Sequence, residues 1–145
     1  VQFASWSFIF LDSSPDSVSN NQIVWMKNLL ALAPSDTLWA LVLHHPPIQC
    51  DCIYMDRHYP LTNNASLLEI LDSTDKIKHV FCGHYHTSKM LQFNRNIQLH
   101  LTPSTWFQID EIEPEFTISD KRIGYRRISI DGKSLNTSVI MLNPA

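Results

Sequence analysis

Two short stretches hold side chains able to do chemistry together. In "LVLHHPP" an apolar run closes on His44 and His45 and is stopped by Pro46 and Pro47. In "VFCGHYH" another apolar run ends in Gly83 and is followed by His84 and His86. Neutral imidazole is a ligand for zinc, iron, manganese and nickel, and two histidines one residue apart on extended backbone point the same way. A lone His-x-His is a weak signal, more often a surface or core pair than a metal site. A second histidine pair at the end of another apolar run turns the balance toward a shared cation. Gly83 is expected to let the backbone turn sharply before His84. Thr102, Ser104 and Thr105 are able to hydrogen-bond a phosphate, or to bond their own backbone in a turn.

These clusters need strands to present them, and the chain supplies them in alternation with helices. Trp6 to Leu11 is an apolar run of strand length, followed by the turn formers of "LDSSPDS", where Asp12 reads as a turn residue. Ser19 and Gln22 make a capping-box pattern, Ile23, Met26 and Leu30 recur at helical spacing, and Pro34 blocks continuation. Leu38 to Leu43 reads as a strand covered on both faces. A helix follows from about Ala65 to Leu71, with Asn64 as its cap and Leu67, Leu68 and Leu71 facing inward. Lys78 to Cys82 is the third apolar strand. Both histidine clusters therefore end strands, at the edge where α/β sheets bind ligands.

Beyond Thr87 the helical signal stops. "KMLQF", "IQLHLT", "GYRRISI" and "SLNTSVIML" read as strands, with Asp131–Gly132 as a type I′ hairpin dipeptide. The acidic segment "IDEIEPEFTISDKR" has no steady period and reads as a surface loop.

With 145 residues, 44% hydrophobic and 17% charged, the chain has the makings of one globular domain. Its formal net charge is −3, and its longest basic runs are the pairs Lys121–Arg122 and Arg126–Arg127. This gives no electrostatic footprint for nucleic acid or an anionic membrane, so the expected ligand is a small molecule. Three cysteines, two of them separated by one residue, fit neither a disulfide framework nor a zinc knuckle and read as free thiols. Cys82 reads as a small buried hydrophobe, and His79 and His100 as structural histidines. With no apolar stretch of membrane-spanning length and no basic start, the expectation is a soluble, cytoplasmic protein. The first residue is Val1, and the chain runs almost at once into the body of a sheet, as if beginning partway through a larger protein.

"LHHPP", followed about forty residues later by "CGHYH", resembles the last two metal-binding motifs of the calcineurin-like metallophosphoesterases. "MDRH", "TPSTWFQI" and "GYRRISIDG" extend the resemblance toward the class III cyclic-nucleotide phosphodiesterase branch. The resemblance implies an α/β fold, part of a four-layer α/β/β/α sandwich with mixed sheets and a mostly antiparallel C-terminal part. It also implies hydrolysis of 3',5'-cyclic AMP or a related phosphodiester by a metal-bridged hydroxide, with two divalent ions (Fe, Mn or Zn) about 3.5–4 Å apart. His44 and His84 resemble ligands of one metal and His86 a ligand of the other. His45 lies beside them as a catalytic or substrate-side group, and Tyr85 points away into packing. Asp56 and His58, with Thr105, would form substrate-cleft walls.

The family's Gly-Asp-x-x-Asp and Gly-Asn-His-Asp/Glu motifs have no counterpart, because the three glycines precede His84, Tyr125 and Lys133. Asp56 to His58 is an Asp-x-His, but it follows "HHPP" and is not the family's opening motif. Residues 1–145 are thus expected to be the C-terminal portion of a metallophosphoesterase domain, with at most one metal ion bound by this chain. Two functions follow: a phosphodiesterase in complete form, or a catalytically incomplete module that forms a homo-oligomer through its exposed sheet edge. Trp106 and Phe107 are bulkier than the residues relatives often carry there, so the pocket is expected to differ at that wall.

Overall fold

The computed structural model describes residues 1–3 and 5–143. Its elements in chain order are β1 (Gln2–Phe3), β2 (Trp6–Phe10), α1 (Asn20–Leu32), β3 (Leu38–Leu43), α2 (Ile53–His58), α3 (Ala65–Ser73) and β4 (Ile77–Cys82). There follow β5 (Lys89–Gln92), β6 (Gln98–Leu101), β7 (Gln108–Ile109), β8 (Ile118–Asp120), β9 (Ile123–Asp131) and β10 (Ser134–Leu142).

Six strands form the central sheet in the order β1-β2-β3-β4-β6-β5. The inner four run parallel, and β1 and β5 flank them antiparallel. Alternation decides what each face meets. Ile9, Leu41, Leu43, Val80, Leu99 and Leu101 pack with Ile23, Met26 and Leu30 of α1 and with Leu67, Ile70 and Leu71 of α3. On the opposite face Trp6, Ala40 and Phe81 meet Ile130 and Leu135 of the β9–β10 hairpin. Helices, mixed sheet and antiparallel hairpin are thus stacked as three successive layers, an α/β arrangement.

Several local details depart from the sequence reading. Ser19 caps α1 by accepting from the Gln22 N–H at 3.4 Å. The Gln22 amide, however, grips the backbone of Asp12, donating to its carbonyl (2.8 Å) and accepting from its N–H (2.7 Å), which ties α1 to the end of β2. Asp12 itself forms the expected turn with Ser14. Asn64 makes no side-chain cap; its amide donates to the Pro47 carbonyl at 3.0 Å. Ile70 takes the buried place expected of Leu68. The acidic segment, expected as a surface loop, contains the short strand β8, and "MDRH" lies on the helix α2.

The hairpin turn is also different. Asp131 pairs with Ser134, so its central residues are Gly132 and Lys133, and of these Gly132 has positive φ (56°). That is the type II′ pattern rather than I′. Among the described residues no helix is long and apolar enough to cross a membrane.

Candidate functional site

Strand register brings the two histidine clusters together. Leu43 of β3 pairs with Cys82 of β4, so the residues that follow leave the sheet side by side. The Gly83 N–H donates to the His44 carbonyl at 3.1 Å, and the Thr102 N–H to the Cys82 carbonyl at 2.8 Å, continuing the ladder past the strand ends. A Cβ on Gly83 would stand 3.4 Å from Nδ1 of His44, so glycine here leaves room for that ring. The sharp turn lies elsewhere. His84 (φ 63°) and His86 (φ 50°) are both in the left-handed region, and the Tyr85 N–H donates to the Gly83 carbonyl at 2.7 Å. The two histidines therefore converge through a strained turn, not along extended backbone.

His84 Nδ1 and His44 Nε2 lie 3.0 Å apart and share a hydrogen bond. The His45 ring packs on His84 with centroids 4.0 Å apart. His45 is 3% exposed, with Nδ1 3.0 Å from the Ser13 hydroxyl and Nε2 3.0 Å from a carboxylate oxygen of Asp16. Both its nitrogens are engaged, so it orients its neighbours. His86 and His84 line one cavity of about 230 Å³ with Tyr54, Met55, Tyr59, Ile109 and Phe116. The His86 carbonyl accepts from the Ile109 N–H at 3.0 Å, which pins it to β7.

Burial favours the neutral form of His44, His84 and His86. Burial, then the neighbouring His45 and His44, push the His84 pKa down to about 4. His44 is lowered by burial and then by His45 and His86, and His86 by burial. His84 Nε2 and His86 Nδ1 are buried without a hydrogen-bond partner. Neutral nitrogens with no partner suit a cation, and the pair at 3.0 Å suits one shared by His44 and His84. Among the described residues, however, no three His, Cys, Asp or Glu side chains stand close enough to form a complete metal site.

The remaining candidates lie outside this group. Asp56 accepts from the backbone N–H of Cys50 (2.9 Å) and of Cys52 (2.9 Å), and lines a separate cavity with Pro47, Asn64 and Tyr85. Tyr85 is buried in the core, as its position between the two histidines implied. His58 is exposed, its ring centroid 4.8 Å from that of Tyr54, one ring removed from the histidine cavity. Thr105 is exposed. His79 Nδ1 and His100 Nε2 lie 3.0 Å apart and bond each other, away from the site. The three cysteines are free and buried; burial pushes the Cys52 thiol up to about 12 and holds Cys50 and Cys82 high as well.

Sequence reasoning missed Asp16 and the aromatic wall. Asp16 sits at φ 56° in "SSPDS", a run legible only as turn chemistry. Tyr54, Tyr59 and Phe116 come from segments with no strong period.

No family model matches the chain. A probable cyclic nucleotide phosphodiesterase of Fibrobacter succinogenes is 34% identical over 137 residues, covering 94% of this chain and 52% of the relative. The 3',5'-cyclic adenosine monophosphate phosphodiesterase of Escherichia coli is 31% identical over 141 residues, covering 93% and 50%. A solved dimetal phosphatase from Danio rerio superposes with a TM-score of 0.52 at 16% identity, over 86% of this chain and 38% of that one. The fold is shared with that dimetal phosphatase. Over nearly its whole length the chain is related in sequence to proteins named as cyclic nucleotide phosphodiesterases. It spans about half the length of the curated relatives it matches.

Proposed function

We propose that the chain is the C-terminal, histidine-bearing portion of a cytoplasmic, metal-dependent phosphodiesterase acting on 3',5'-cyclic AMP or a related small phosphodiester. The observation that carries this is the 3.0 Å approach of His44 Nε2 to His84 Nδ1 at the carboxyl edge of the sheet, beside the cavity that His84 shares with His86. Divalent iron, manganese or zinc, when bound, would neutralise phosphate charge and make water a nucleophile at neutral pH. His44 and His84, whose ring nitrogens approach to 3.0 Å, are the side chains that would hold it, with His86 beside them in the cavity that it shares with His84.

The other residues position and shield. Ser13 and Asp16 engage both nitrogens of His45, whose ring packs against that of His84. Tyr54, Tyr59 and Phe116 wall the cavity beside the imidazoles. Asp56 supports the site indirectly, by holding the 50–52 backbone.

A second reading is favoured by a specific observation. Phe10 is 56% exposed on the sheet face opposite the helices, and it joins Val42, Phe81 and His44 in a cavity of about 380 Å³. An apolar sheet face of this kind suits an associating module that forms a homo-oligomer.

Turnover separates the two. With manganese added, the chain should hydrolyse bis(p-nitrophenyl) phosphate slowly, and a His84→Ala variant should lose that rate. A chain that binds no cation, hydrolyses nothing and sediments as an oligomer would establish the module instead.

A further inference from the structure

Next to the histidines lies a second cavity, of about 580 Å³, lined by Trp106, Phe107, Phe116, Ile118 and Lys121. Its volume is that of a small-molecule site. Trp106 is 74% exposed, and Phe116 and Ile118 are also exposed. Single exposed apolar residues need no explanation, but a contiguous group around a concavity marks a binding surface.

Two features tie this cavity to the histidine cavity. Phe116 lines both. Phe107 bridges them, its ring centroid 5.0 Å from that of His86 and 4.6 Å from that of Trp106. The wall is also held in place. The Trp106 N–H donates to the Ser104 hydroxyl at 3.1 Å. The Gln108 amide accepts from the Ser104 N–H (3.0 Å) and donates to the carbonyls of Ser104 (3.0 Å) and Arg122 (2.8 Å).

We infer that this aromatic cavity is a nucleobase subsite, in which the base of a nucleotide stacks on Trp106 while its phosphate lies at the histidines. The inference rests on the phosphodiester reading for the phosphate end. Its own basis is the chemistry of the wall: flat π surfaces, little hydrogen-bonding capacity, and one cationic donor at Lys121. Such a wall takes a planar heterocycle by its face, and base–aromatic stacking is worth roughly a 10- to 100-fold gain in affinity. It would accept purines with little discrimination, because every base has a π face.

The test is a titration of the isotopically labelled full chain, followed by NMR of its tryptophan indoles and histidine rings. Adenosine, which has no phosphate, should shift the Trp106 indole and leave that of the half-exposed Trp25 unmoved. Ribose 5-phosphate with zinc should shift His84 and His86 but not Trp106. Trp106→Ala should weaken binding of adenosine 5'-monophosphate about 10- to 100-fold. The subsite is refuted if adenosine moves Trp25 and Trp106 alike, if Trp106→Ala leaves the affinity unchanged, or if the Trp106 signal moves with protein concentration alone. Should ribose 5-phosphate fail at the histidines while adenosine still shifts Trp106, the phosphodiester reading falls and the subsite stands.

Discussion

His84 and His86 occupy left-handed backbone that non-glycine residues seldom adopt, at a cost on the order of 1–3 kcal/mol each. The surrounding bonds hold them there: Tyr85 is buried in the core and His86 is tied to Ile109. Residue-scale strain of this kind is not visible in the order of letters, which suggested an extended His-x-His. The types and the pairing partners were legible, because two strand ends each delivered a histidine to one edge. Buried neutral histidines elsewhere make a pH prediction. His100 is fully buried on β6 and faces His79 of β4 and Arg126 of β9; burial, then Arg126 and His79, hold its pKa at about 4. Between about pH 6.5 and 4 the unfolded chain binds a proton that the folded chain refuses, so stability falls as pH falls through that window. The contribution from His100 is roughly 3 kcal/mol at most. Urea unfolding at pH 7 and pH 5 should show the loss, and His100→Leu should reduce it by the His100 share, the other buried histidines keeping theirs. An equal slope in the variant would contradict this assignment.

At the scale of elements, α2 and the loop before it depend on one side chain. Asp56 receives the backbone N–H groups of Cys50 and Cys52, which have no strand to pair with. Asp56→Ala should therefore cost about 2–3 kcal/mol in urea unfolding, since it leaves buried donors without an acceptor. Asp56→Asn should retain part of that through its amide oxygen. An alanine variant as stable as the parent would contradict the role. The same segment shows why short elements were hard to read. The long apolar runs of β3 and β4 and the 3.6-residue period of α1 announced themselves, whereas six-residue α2 and three-residue β8 lack the length for a period. Gln22 signalled a cap correctly, but its tie to Asp12 depends on tertiary placement that a local pattern does not contain.

The whole molecule puts a well-packed helix face and a partly open sheet face on the same six strands. Helices α1 and α3 pack on the first, while the β9–β10 hairpin reaches Trp6, Ala40 and Phe81 and leaves Phe10 exposed. The histidines sit where that open face meets the carboxyl edge, with His44 in the wall of the groove. The account depends on those imidazoles sharing a cation. Calorimetric titration of the full chain with zinc or manganese tests this most directly. The account predicts one cation per chain, with affinity reduced at least about 100-fold in His84→Ala. Equal binding by chain and variant, or none by either, would contradict it.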